Sequence, residues 1–130
     1  ETRELIFETI RFVRKLPENI DATGAFIFAP YHGTPLRTLA IQKGYLKDEE
    51  ICSLSNTSGS MLRMPTISKQ EISAIAKVFS FYVKFPESKW NDIKIAEKND
   101  QEGQVMFKKL GEEFDKNYRN YKASSMDLHD

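Results

Sequence analysis

Phe26-Ile27-Phe28-Ala29-Pro30-Tyr31-His32-Gly33-Thr34-Pro35-Leu36 reads as a short apolar strand that runs into a Pro/Gly turn and straight on into a helix. Residues 26–29 are too few for a helix, and Pro30, which has no amide to donate to a sheet ladder, closes the run. Gly33 allows a sharp reversal. Thr34 then fits an N-cap with Pro35 at the first helical position, and Leu36, Leu39 and Ala40 form an apolar stripe up to a stop at Gly44. The amides exposed at the start of such a helix can face an anion or a carboxylate. A strand-to-helix junction of this kind is where α/β enzymes place ligands.

To the amino-terminal side, Leu5, Ile6, Thr9, Ile10, Val13 and Leu16 recur at helical spacing and Pro17 ends the segment. Residues 18–24 read as a polar connector. To the carboxy-terminal side, residues 45–48 close the helix, and 53–60, Ser-Leu-Ser-Asn-Thr-Ser-Gly-Ser, lack any periodicity and read as a loop, either a substrate-facing flap or an ordinary connector. Ser68-Lys69-Gln70-Glu71 is a capping box with Ile67 and Ile72 at staple spacing, so a helix starts there and is expected to run to about Phe85. Its apolar residues Ile72, Ile75, Ala76, Val78, Phe79, Phe81, Tyr82 and Val83 cover more than one face, which predicts burial on two sides. Pro86 interrupts and residues 87–90 restart the helical pattern, with Trp90, Ile93 and Ala96 at three-residue steps. A last helix is expected from about Gln101 to Lys122 on Val105, Phe107, Leu110, Phe114, Tyr118 and Tyr121, with Gly111 a weak point worth about 1 kcal/mol. Residues 123–130 have nothing to pack.

The chain carries 19 basic and 19 acidic side chains. No net field draws it to nucleic acid or an anionic membrane. The lysines at 84, 89, 94 and 98 are offset by Glu87, Asp92, Glu97 and Asp100. No apolar stretch approaches the roughly 20 residues that span a bilayer, and the first residues lack a signal-peptide core, so a cytoplasmic location is the default expectation. Cys52 is the only cysteine, which excludes an internal disulfide and any cluster held by this chain's thiolates alone, since clusters take about four. No basic run or neighbouring His activates it as a nucleophile. Glu49-Glu50 and Glu112-Glu113 are adjacent in sequence, point in different directions on a helix, and read as solvated carboxylates. No glycine-rich phosphate loop, H-E-x-x-H or hydrolase nucleophile motif is present. His129 lies in the polar tail.

Phe28, Pro30, Tyr31, Gly33, Thr34, Pro35 and Leu36, followed by Lys43-Gly44, closely resemble the "F-x-P-Y-P-G-T-P-L … K-x-G" motif of the sixth barrel strand of radical SAM enzymes. Met64-Pro65-Thr66-Ile67-Ser68-Lys69-Gln70-Glu71 is similar to the "M-P-x-L-S-x-E-E" stretch that begins a carboxy-terminal helix in that family. His32 departs from the motif, standing where proline is usual. The resemblance implies a chain that is mainly α with one β-strand: residues 1–46 as the last helix–strand–helix of a (β/α) barrel, 47–67 as a connector, 68–122 as a helical carboxy-terminal extension and 123–130 as a disordered tail. It implies a fragment, with the C-x3-C-x2-C loop, the [4Fe-4S] cluster and, in part of the family, a cobalamin-binding domain all upstream of Glu1. It further implies that Phe28, Ala29, Pro30, Tyr31, Gly33 and Thr34 contribute to the adenosine pocket for S-adenosylmethionine, with His32 facing substrate and no catalytic or metal-binding residue here. The expected partners are the missing amino-terminal part of the same protein, a small-molecule substrate, and a second copy pairing through the orphan strand. A free-standing helical interaction module, its aromatic helices docking a partner and its Pro-Tyr-His-Gly-Thr-Pro turn serving structure alone, is the alternative.

Overall fold

The Thr2 hydroxyl accepts the Leu5 amide and so starts α1 (Arg3–Val13). The computed structural model describes residues 1–17, 20, 24–52 and 59–119. After α1 come α2 (Pro35–Gln42), α3 (Lys69–Lys84), a 3-10 turn (Glu87–Lys89), α4 (Trp90–Ala96), α5 (Gln101–Phe114) and a π-helical turn (Asp115–Arg119). Residues 53–58 of the expected flap, most of the 18–24 connector, residues 120–122 of the last helix and the 123–130 tail lie outside the described residues.

Among the described residues there is no β-strand, and this corrects the expectation of one strand belonging to the tail of a (β/α) barrel. Among the described residues, 26–29 have no strand partner. The physical reason is the absence of a ladder partner: the other apolar segments of the chain carry helical periodicity, and a lone strand has no hydrogen-bonded neighbour to stabilise it. Phe26 is 87 % exposed in consequence.

Helix α3 forms where its signals are densest. Ser68 accepts the Glu71 amide while the Glu71 carboxylate accepts the Ser68 amide, and Ile67 is buried beside this start. The helix stops at Phe85, whose ψ of 151° is the conformation that a following proline imposes. Ile75, Val78, Phe79, Phe81, Tyr82 and Val83 are all buried, so α3 is the central element. Ile10 of α1, Ile93 and Ala96 of α4 and Leu110 of α5 complete the main core around it. Phe7, Tyr82 and Trp90 meet edge to face at one end of this core. Phe81, Phe85, Phe114 and Tyr118 form a ring cluster at the other.

Helix α1 is shorter than the apolar spacing through Leu16 predicts. It ends at Val13 with Arg14 as its cap, still in helical conformation and with its amide on the Ile10 carbonyl, while the Arg14 side chain donates, through one Nη, to the carbonyls of Tyr82, Val83 and Phe85 at 2.8, 2.9 and 2.6 Å. Those are carbonyls that the end of α3 leaves without helical partners. Helix α5 passes at Asp115 from α to π geometry, so the described helical run reaches Arg119. The following π turn carries Tyr118 against Phe85 and Phe114.

Helix α2 stands apart from this core on a small one of its own, made by Ala40, Leu46 and Leu62 with Ile41, Tyr45, Met61 and Met64 against them. Its end is a Schellman motif. Gly44 has φ 72°, the Tyr45 amide reaches back to the Ala40 carbonyl and the Gly44 amide to that of Ile41. The Arg63 amide bonds the Tyr45 carbonyl at 2.8 Å and lays the segment before α3 along this unit. Among the described residues, no helix is long and apolar enough to cross a membrane.

Candidate functional site

The turn at 29–34 is the best-built irregular segment of the chain. The Tyr31 amide bonds the Ala29 carbonyl across Pro30, and the Thr34 amide bonds the Tyr31 carbonyl at 3.3 Å. Gly33, with φ 82°, sits third in the four-residue turn 31–34, which is the pattern of a type II turn. His32 therefore occupies the second position, where proline is favoured because its ring presets φ. Substituting His for the motif's Pro leaves the turn intact, since any residue with negative φ serves there, and no non-glycine residue in the described structure has positive φ.

Thr34 joins the turn to the helix. Its hydroxyl donates to the Tyr31 carbonyl at 2.7 Å and accepts the Arg37 amide at 3.3 Å, capping α2 as the Thr-Pro pair predicts. Arg37 closes the assembly from beneath. It is only 4 % exposed, and its guanidinium donates to the carbonyls of Pro30 at 3.1 Å, Asp48 at 3.0 Å and Glu50 at 2.6 Å. Among the described residues no carboxylate pairs with it. Glu50 is held in turn: its carboxylate accepts the Lys47 amide at 2.7 Å and a bidentate pair from Arg63. The Arg63 guanidinium, with the Lys47 amide second, draws the Glu50 carboxyl down to a pKa of about 2.

The residues named from the resemblance fall into two groups. Pro30 is fully buried under the turn with its carbonyl spent on Arg37, and Ala29 and Thr34 are half-buried. Phe28 and Tyr31 are each nearly half exposed, and His32 and Gly33 are exposed. Phe26, Leu36, Leu39 and Ile51 are further exposed apolar side chains in the flanking segments. From residue 24 to 36 the sequence has no Asp, Glu, Lys or Arg. The result is exposed apolar surface in an uncharged stretch of chain on a firmly held turn.

The backbone adds hydrogen-bonding capacity to that face. Among the described residues, the amides and carbonyls of 24–28 have no partner. The Phe28 and Tyr31 rings, each nearly half exposed, stand next in the chain to these main-chain groups. An iron–sulfur cluster does not fit these residues, because Cys52 is the one thiol of the chain and no group of three His, Cys, Asp or Glu among the described residues could hold a metal.

Sequence reasoning missed Arg37. A buried arginine inside an amphipathic helix reads as a surface residue until the carbonyls that surround it, 7, 11 and 13 positions away, are known. A second polar centre was also invisible. Glu97 accepts two hydrogen bonds from Arg3 at 2.7 and 2.9 Å and one from the Tyr82 hydroxyl, tying α1, α3 and the end of α4 together. Burial, then Glu97, pushes the Tyr82 phenol above its ordinary range, and the Glu97 hydrogen bond raises Arg3. With every partner internal, this centre serves the fold. Comparison of the chain with protein-family models, curated proteins and solved structures gave no match.

Proposed function

We propose that this chain is the carboxy-terminal part of a radical SAM iron–sulfur enzyme, oxidoreductase or methyltransferase-like, in which the 29–34 turn forms one wall of the pocket for S-adenosylmethionine and substrate. The observation that carries this reading is a turn held by Thr34 and Arg37 that nevertheless leaves Phe26 exposed and Phe28 and Tyr31 nearly half exposed. A turn fixed this firmly with aromatic surface left open suits presentation of that surface to a ligand. The likeness of Phe28, Pro30, Tyr31, Gly33 and Thr34 to the radical SAM motif supports reading that ligand as S-adenosylmethionine. Phe28 and Tyr31 offer ring surface to the adenine, Gly33 permits close approach, and the amides and carbonyls of 24–28, unpartnered among the described residues, read its edge. His32, at the exposed tip, faces the substrate side. The cluster chemistry belongs to residues upstream, so the chain is not competent alone.

The test is the coding sequence before Glu1 together with the protein it encodes. A C-x3-C-x2-C loop is expected within the roughly 250 residues that a full (β/α) barrel comprises. The complete protein, reconstituted without oxygen, is expected to bind S-adenosylmethionine, and Tyr31→Ala to weaken that binding about tenfold. Absence of the three cysteines would leave the helical interaction module, with the same apolar face as its docking surface.

A further inference from the structure

We propose that Arg37 is the positioning residue of the 29–34 turn: its buried guanidinium sets where the aromatic and polar tip of the turn stands relative to the ligand. The inference rests on reading that turn as ligand-facing.

The argument begins with charge. Arginine does not lose its proton in a protein, so burying it is unfavourable unless its donors are all directed at acceptors. Here the acceptors are three carbonyls from two separate stretches, Pro30 in the turn and Asp48 and Glu50 beyond α2, with no carboxylate among the described residues to take over if one is lost. The planar fork of the guanidinium imposes one relative placement on those stretches, which a flexible ammonium could not. The far stretch is itself immobilised, because the Glu50 carboxylate is clamped by Arg63 and by the Lys47 amide. A continuous line of hydrogen bonds thus runs from the exposed Arg63–Glu50 pair through Arg37 to Pro30, the residue directly before Tyr31. Arg37 itself has 4 % exposure and touches no ligand, so its effect is exerted through the turn. It lies outside the main core of α1, α3, α4 and α5, so its replacement leaves that core as an internal control.

The experiment uses the complete gene product carrying Arg37→Met, Arg37→Lys or, at the exposed end of the line, Arg63→Met. Two quantities are read: hydrogen exchange of the peptide spanning 29–37, and the Kd for S-adenosylmethionine. Arg37→Met is expected to speed exchange in that peptide at least tenfold, with exchange in α3 and α5 unchanged, and to raise Kd about tenfold. Arg37→Lys retains the charge without the fork and should fall between, and Arg63→Met should show the same changes at smaller size. A turn that exchanges as in the unmodified protein overturns the proposal. A loosened turn with unchanged Kd overturns it too, because Arg37 would then be architectural only. If the unmodified protein has the cysteine loop but no affinity for S-adenosylmethionine, or lacks the loop, the functional reading fails, and the exchange data still decide whether Arg37 holds the turn.

Discussion

Gly103 and Gly111 lie on the same helix, and the structure predicts opposite outcomes for replacing each with alanine. Gly103 is the third residue of α5, where its amide bonds the Asp100 carboxylate at 2.8 Å. A Cβ built there would stand 2.3 Å from the Lys98 carbonyl oxygen, 2.8 Å from its carbon and 3.0 Å from the Ile95 carbonyl oxygen. All three are main-chain atoms at the end of α4, so no side chain can swing away. The α4–α5 corner, the most extensive helix pairing in the molecule, has to open by about 1 Å to reach ordinary contact. Forced overpacking of this kind costs about 1–3 kcal/mol, and the gain of alanine over glycine inside a helix returns up to about 1 kcal/mol. A net loss of about 1–2 kcal/mol is expected. At Gly111 nothing lies within 4 Å of the added Cβ. There the helix-propensity gain is unopposed, and the variant should be about 0.5–1 kcal/mol more stable. The assay is urea unfolding followed by far-UV circular dichroism, with both variants and the parent compared at the same m-value. Taking the difference between the two variants removes the propensity contribution and isolates the close approach. Equal stability of Gly103→Ala and Gly111→Ala would refute the reasoning.

Three further outcomes follow from the same structure. Tyr82→Phe removes one donor to Glu97 and should cost about 1 kcal/mol, whereas Glu97→Ala strands the Tyr82 hydroxyl and the part-buried Arg3 together and should cost about 2–4 kcal/mol, both measurable by denaturant unfolding. The Glu50 carboxyl, held down mainly by Arg63, titrates in the folded state near pH 2. Because that value lies below the unfolded one, the pair's contribution to stability is complete above about pH 4.5 and disappears as the pH falls towards 2; a carboxyl NMR titration should show the low midpoint, and Arg63→Ala should raise it. His32→Pro fits the second position of the type II turn, and the His32 amide makes no hydrogen bond among the described residues, so the variant should gain about 0.4–1 kcal/mol; a loss in thermal unfolding would mean that His32 does not have the backbone that proline presets.

Much of this was legible in the chain because the signals are local. A capping box needs only Ser68 and Glu71, a Schellman end needs only Gly44, and Pro86 ends α3 through its own ring; each acts within five residues. The Pro-Tyr-His-Gly-Thr-Pro stretch likewise specified a turn capped into a helix, and the periodicity of α3 specified a helix buried on more than one face. The strand at 26–29 failed for the converse reason. Apolar residues in a row state a preference for pairing but supply no partner, and the described chain contains none.

What tertiary structure alone decided are the places where distant groups meet. The carbonyls that make Arg37 a buried clip come from 7 to 13 residues away, the Arg3–Glu97 pair spans 94 positions, and the carbonyls that the Arg14 side chain meets at the end of α3 lie 68 to 71 positions on. Gly103 looks like a mild weakness in a helix until the backbone of α4 is placed against it. Sequence determines such residues only by permitting them, since a charge or a missing side chain has no direction until the fold puts something opposite it.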